Sequence, residues 1–386
     1  MEILEESRDV YDITVAENHN FYANGILIHN CEITLPTTPI SHIDDEDDGE
    51  IALCILSSLN VGLIKSHELE NICDLSVRAL DSLIDYQDYP IKAAEKTKNR
   101  RSLGIGFTGL AHYLAKLKLN YEDPGAAIAV HKLAESMQYY LLKASNQLAK
   151  EKGPCKYFGR TKYAKGILPI DTYKKDIDAL LTAEHPWNDY VETCTLKHNW
   201  EELRANIKEH GLRNSALSAQ APVESSSLVT NSTNGVEPPR ALLSVKKSKK
   251  GVIKQIVPQY ERLKNNYTLL WDMKSNKGYI NIIGAMQKFF DQAISANWAY
   301  NPMNYPDHEI PLQEVVKDFL HSYKAGWKTC YYLNTYDMKS DDSISDPHLN
   351  KLAEDKSLES LIGSPRQPIE YDMAANEEEH CESCTI

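Results

Sequence analysis

No stretch of eighteen consecutive apolar residues occurs in the 386-residue chain, and its opening, MEILEESRDV, is acidic where an export signal is basic and then apolar. A soluble, cytoplasmic protein with no membrane partner is therefore expected. Positive charge is in short supply: 42 lysines and arginines stand against 55 aspartates and glutamates, a formal net charge of −13. A sequence-independent grip on nucleic acid needs a continuous basic face to displace phosphate counterions, so nucleic acid is not an expected partner. The one basic cluster, Lys246, Lys247, Lys249 and Lys250, leads into the strand-like VIKQIVP and reads as a solvated turn. Cysteine is scattered, at 31, 54, 73, 155, 194, 330, 381 and 384, which argues against a disulfide framework and leaves thiols for redox work. No internal repeat is visible.

What is present is an ordinary globular composition, 42% apolar and 9% aromatic. The first thirty residues are β-rich, with alternating VYDITV and with Asn24-Gly25 supplying a tight turn inside FYANGILIHN. IALCILSSLNVG is a candidate buried strand or helix start. Leu69, Ile72, Leu75, Ala79, Leu80 and Leu83 keep helical spacing, as do GLAHYLAKL and HKLAESMQYYLLKASNQLAKEKG. GIGFTG at 104–109 lacks the distant acidic partner of a dinucleotide fingerprint and reads as a tight turn before a helix. PVESSSLVTNSTNGVEPPR is rich in hydroxyls and turn residues and reads as a binding loop rather than an element. The helix-like IPLQEVVKDFLHSYKAGW runs into the strand-like KTCYYLNT, an order that suits an α/β architecture. From about residue 341 polar and acidic residues dominate, and a mobile tail is expected.

His29-Asn30-Cys31 has the chemistry of a self-cleaving junction. An Asn side-chain amide can attack its own backbone carbonyl and close to a succinimide, a neighbouring His can protonate the leaving amine, and the following Cys can take over an acyl group. The preceding VYDITVAENHNFYANGILIHN, with Asp12 on a strand and His19 in HNF, resembles over its whole length the C-terminal splicing block of inteins. The resemblance implies a short all-β intein (HINT-type) fragment over 1–30, a split-intein piece whose partner polypeptide brings the N-terminal half. His19, His29, Asn30 and Cys31 would then carry splicing.

The rest of the chain resembles the C-terminal half of the catalytic large subunit of class I ribonucleotide reductase. EITLPTTP, GEIALCILSSLNVG, RALDSLIDYQDYP, RRSLGIGFTG, YAKGILPIDTYKKDID, HGLRNSALSA, NGVEPPR, DQAISAN, KTCYYLNT and CESCTI occur in the family's order. The resemblance implies half of a ten-stranded α/β barrel over 31–340, then a tail over 341–386. It implies that Tyr331 and Tyr332 relay a radical, that Cys54 is one of two reductant cysteines, and that Cys381 and Cys384 are a dithiol shuttle. A zinc half-site is the other reading of that CxxC, but no second pair accompanies it, and no metal is expected on this chain. Glu224, Ser225 and Ser226 match the loop that holds the substrate diphosphate, with Val223 where many relatives have a hydroxyl.

Relatives place the thiyl-radical cysteine in Asn-Leu-Cys-any-Glu-Ile, whereas this chain reads Cys31-Glu32-Ile33. Keeping Glu-Ile in register makes Glu32 the base at the 3′-hydroxyl and puts the thiyl cysteine at the end of the partner's extein. The alternative makes Cys31 itself the radical cysteine. The implied partners are the N-terminal intein and extein polypeptide, a small subunit bearing a metal-derived radical, thioredoxin or glutaredoxin, a ribonucleoside diphosphate, and a second copy of the spliced subunit. ATP and dNTP effectors would bind the half not in this chain, which itself binds no cofactor. A splicing-defective remnant serving as a non-catalytic partner is the competing expectation.

Overall fold

The computed structural model describes residues 20–23, 26–29, 38, 49–51, 53–172, 196–248 and 251–336. Two compact units divide the chain, one containing Met1–Cys31 and the other spanning Glu32–Ile344. In the first, strands β1 (Asn20–Ala23) and β2 (Ile26–His29) pair antiparallel with Asn20 opposite His29. This is the hairpin that Asn24-Gly25 announces; the turn itself lies outside the described residues.

The second unit is built on parallel strands joined by helices. β3 (Ile55–Asn60) pairs in parallel with β4 (Leu103–Thr108), Ile55 opposite Leu103 and Asn60 opposite Thr108. Residues 216–220 lie along the far side of β4: Leu103 N–H donates to Ala216 O at 2.9 Å, Ile105 N–H to Leu217 O at 2.9 Å, and Ala219 N–H to Ile105 O at 3.2 Å. Residues 292–296 follow, with Gln292 N–H on Ser218 O and Ser295 N–H on Gln220 O. An antiparallel hairpin of β5 (Leu243–Ser248) and β6 (Gly251–Ile256) intervenes in the chain. It places Lys246 and Lys247 in a strand, where the sequence suggested a turn. Finally β7 (Trp298–Tyr300) pairs in parallel with β8 (Leu333–Thr335). Five extended segments thus run parallel, side by side, in chain order. Among the described residues the last does not return to the first, so the sheet is open and no closed barrel is seen.

Helical crossovers force the parallel arrangement, because the chain must return to the same end of the sheet each time. The helix α1 (Leu69–Tyr86) connects β3 to β4, as the spacing predicts. Beyond β4 come α2 (Leu110–Leu117) and α3 (Pro124–Lys152), the latter starting seven residues before the predicted His131 because Pro124 is suited to the first helical turn. Gly153 ends α3 with φ +83°, a conformation that a side chain would strain. Later helices are α4 (Trp200–His210), α5 (Glu224–Val229), α6 (Lys277–Gln287) and α7 (Leu312–Lys324).

β4 explains the pattern that sequence reading assigned to a turn. Leu103, Ile105 and Phe107 alternate onto the helix-covered face and are fully buried, Phe107 meeting Phe290 edge-on at 5.6 Å. Each contributes about 1.5–3 kcal/mol of burial. Gly104 and Gly106 alternate onto the other face, and only Gly109, at φ +79°, turns the chain into α2.

A buried ion network holds α1 to the strand starts. Arg101 Nε donates to Asp81 Oδ1 at 2.6 Å and its Nη atoms grip Asp85 at 2.7 and 2.8 Å. Arg213 Nε and Asn214 Nδ2 also reach Asp81, at 3.3 and 3.2 Å. Asp81 is fully buried, so these donors replace its lost hydration.

Candidate active site

Cys54 sits on the approach to β3, on the face that carries the glycines. A β-carbon at Gly104 would lie 2.9 Å from the Cys54 Sγ and 3.2 Å from the Ala219 Cβ, so the bare backbone of β4 makes room for the thiol. Cys73 and Cys155 differ from it: both are buried, and loss of solvent pushes their thiols up to about 12 and about 11. Cys54 and Cys330 keep partial exposure. The core-packing role usual for a Cys in an apolar run does not describe Cys54.

The loop after residue 220 leaves from the carboxyl end of a parallel strand, the usual end for a ligand site in such sheets. Gln220 sets its start: its Oε1 accepts from Phe107 N–H at 2.7 Å and its Nε2 donates to Phe107 O at 2.9 Å, so a side chain extends the ladder of β4. The stretch that sequence reading left without an element then forms the short helix α5. Val223 precedes it and offers no side-chain cap, while Glu224, Ser225 and Ser226 are all exposed in its first turn. First-turn N–H groups have no acceptor within their own helix. The Ser226 hydroxyl donates back to Val223 O at 3.3 Å and Ser227 to Glu224 O at 2.8 Å. The loop is stitched to β4 by Thr108 and Ser232, whose hydroxyls lie 2.8 Å apart, and by Gly109 N–H on Thr233 O.

Tyr331 and Tyr332 precede β8 rather than lying in it, and so escape the alternation of a strand. Their ring centroids are 4.0 Å apart at 48°, and Tyr332 is 57% exposed. The backbone is fixed on both sides: Tyr331 N–H donates to Ala296 O at 3.2 Å, Tyr332 N–H to the Asn297 Oδ1 at 2.9 Å, and Trp298 N–H to Tyr332 O at 2.9 Å.

Residues 11–333 match the family model described as ribonucleotide reductase, barrel domain. The chain belongs to this family. It is 54% identical over 312 residues to the ribonucleoside-diphosphate reductase subunit alpha of Haemophilus influenzae, covering 80% of this chain and 40% of that protein. It is 53% identical over 259 residues to subunit alpha of ribonucleoside-diphosphate reductase 1 of Escherichia coli, covering 67% and 33%. The subunit alpha of Enterobacteria phage T4 is 41% identical over 317 residues, covering 81% and 40%. The chain thus spans about two-fifths or less of the length of these curated relatives.

Within this reductase barrel segment, Cys54 lies beside the first of the five parallel segments and the tyrosine pair at the last. His19, Asn30, Cys31, Glu32, Cys381 and Cys384 lie outside the described residues, and of His29 only the backbone pairing in β2 is described. No helix among the described residues is long and apolar enough to cross a membrane. Three residues with no role assigned from sequence prove central to the geometry. Gln220 sets the loop; Asn297 fixes Tyr332; and Glu237 accepts from Asn297 Nδ2 at 2.6 Å. Burial pushes the Glu237 carboxyl up to about 7, with the negative charge of Glu224 adding to the rise and Asn297 and Arg240 opposing it. NGVEPPR and DQAISAN contain Glu237 and Asn297, but a motif match names a stretch and not which side chain faces the site.

Proposed function

We propose that the chain is the C-terminal half of a ribonucleoside-diphosphate reductase large subunit, joined to its N-terminal half by protein trans-splicing. The ring contact of Tyr331 with the exposed Tyr332 carries the reductase part of this reading, because a radical passed between subunits needs an oxidisable aromatic at the surface and a second within contact. The exposed stripe Leu312, Val316, Phe319, Leu320 and Tyr323 on α7 supports a small subunit docked at this edge, since Phe319 packs edge-on against Trp298, which hydrogen-bonds Tyr332. The small subunit supplies a metal-derived radical.

Within the joined enzyme, the diphosphate rests on the first-turn N–H groups of Glu224, Ser225 and Ser226. A thiyl radical on the last cysteine of the partner's extein takes the 3′-hydrogen, and Glu32 accepts the 3′-hydroxyl proton. The 2′-hydroxyl leaves as water. Cys54 and a cysteine of the other half supply two electrons and become a disulfide, while the 3′-hydrogen returns and restores the thiyl radical. Cys381 and Cys384 reduce that disulfide by exchange, and thioredoxin or glutaredoxin reduces them in turn. The competent unit is a cytoplasmic homodimer whose ATP and dNTP sites lie in the other half.

Splicing is supported by Asn30-Cys31 following directly in sequence on His29, the last residue of the β1–β2 hairpin. Mixing the chain with the complementary polypeptide is expected to give a ligated product by mass spectrometry, and Asn30→Ala is expected to stop at branched or unjoined species. The joined product with its small subunit should form deoxynucleoside diphosphates, and Tyr332→Phe should abolish this. Permanent separation of the two halves would leave the non-catalytic remnant as the surviving account.

A further inference from the structure

The motifs NGVEPPR and DQAISAN have no part in the proposed reduction, yet they contribute two linked side chains, one of which hydrogen-bonds the backbone of the tyrosine pair. Asn297 uses both ends of its carboxamide. Its Oδ1 accepts from Tyr332 N–H at 2.9 Å and its Nδ2 donates to Glu237 Oε1 at 2.6 Å. Glu237 is anchored from its own side, because Val236 O accepts from the buried Tyr121 hydroxyl at 2.9 Å and Pro239 O from Leu270 N–H at 2.9 Å. A continuous path therefore runs from a carboxyl group to the backbone of the exposed tyrosine.

We propose that Glu237 and Asn297 are positioning residues for the Tyr331–Tyr332 pair, and that the ionised carboxylate holds the pair tightly while the protonated acid lets it slacken. The inference rests on the relay reading of that pair. Its physical basis is the difference between a charge-assisted and a neutral hydrogen bond: an ionised Glu237 can only accept, which fixes Asn297 with Oδ1 toward Tyr332. A protonated Glu237 carries a donor of its own that competes for Oδ1. The groups that face this carboxyl are Asn297 and Arg240, which favour the ionised form, Glu224, which opposes it, and the buried phenols of Tyr121 and Tyr279. Together with burial these hold its titration near neutral pH, so both forms are populated under ordinary conditions.

The test uses the joined large subunit with its small subunit. The parent is expected to gain kcat as pH rises through about 7. Glu237→Gln keeps the acceptor and the shape but cannot ionise. It is expected to lower kcat by about tenfold at pH 8, to leave it within about twofold at pH 6, and to leave KM for the ribonucleoside diphosphate within about twofold. Asn297→Ala, which keeps Glu237 but removes the side chain that links it to Tyr332, is expected to give the same flattened profile at unchanged KM. Melting curves within a few degrees of the parent show that each variant is folded, and a variant that fails this check leaves the other to decide. Profiles of Glu237→Gln or Asn297→Ala that superimpose on the parent's would overturn the inference. Tyr332→Phe separates the two levels: full activity in that variant removes the relay reading itself, whereas inactivity there with unchanged profiles in the strut variants removes only this inference.

Discussion

Gly104 supplies the space that the Cys54 thiol occupies, since a β-carbon at position 104 would come within 2.9 Å of the Cys54 Sγ and 2.6 Å of Leu56 Cδ2. Gly104→Ala is therefore expected to displace the thiol and to cost about 1–3 kcal/mol of stability through overpacking. Urea denaturation and the rate at which Cys54 reacts with a disulfide reagent measure the two effects. Unchanged values for both would mean that the cleft yields freely.

Asp81 is fully buried under Arg101, Arg213 and Asn214. Asp81→Asn leaves two guanidinium groups without their shared counter-charge, and a loss of about 3–5 kcal/mol is expected from the general cost of breaking a buried ion pair. Chemical denaturation monitored by tryptophan fluorescence reads it directly.

The thiols should separate by reactivity. Burial raises those of Cys73 and Cys155, whereas Cys54 and Cys330 are partly exposed. Among the cysteines of the described residues, brief alkylation at pH 8 followed by peptide mass mapping is expected to modify Cys54 and Cys330 before Cys73 and Cys155, which are labelled only on unfolding. Equal labelling of all four would contradict the packing around α1 and α3.

Glu237 makes stability depend on pH. Its carboxyl is raised in the folded chain, from an ordinary value of 4.5 to about 7, so the folded state holds a proton that the unfolded state releases. This contribution is complete below about 4.5 and is lost as pH rises toward 7. The expected result is a downward slope of unfolding free energy in that window that Glu237→Gln flattens.

Cys381→Ser in the joined enzyme is expected to permit one round of reduction but to abolish sustained turnover with thioredoxin, because the shuttle and not the chemical step is lost. Rapid-quench counting of deoxynucleotide per enzyme separates these. An unchanged steady-state rate would remove the shuttle assignment.

Periodicity was legible wherever one face of an element decides its burial. α1 follows the leucine spacing, and β3 the apolar run before Asn60. Glycine misled in part: Gly109 does turn the chain into α2, but Gly104 and Gly106 mark the strand face on which backbone and thiol approach, and local propensity carries no information about a neighbour more than forty residues away. The serine-rich loop hid a short helix for a related reason, since α5 is held by the ladder that Gln220 extends from β4 and not by its own propensity. In the tyrosine pair the residues could be read, but not their mutual contact. Strand alternation would have turned the rings apart, and only the start of β8 at Leu333 releases them.

By itself the sequence determined which chemical groups are present, in the order of a reductase barrel. The tertiary structure decided which of those groups meet. Parallel pairing set five distant segments side by side, opened a gap at Gly104 for Cys54, and tied Glu237 through Asn297 to Tyr332. Contacts of that kind are fixed by crossovers of thirty or more residues, and no local pattern encodes where such a crossover brings the chain back.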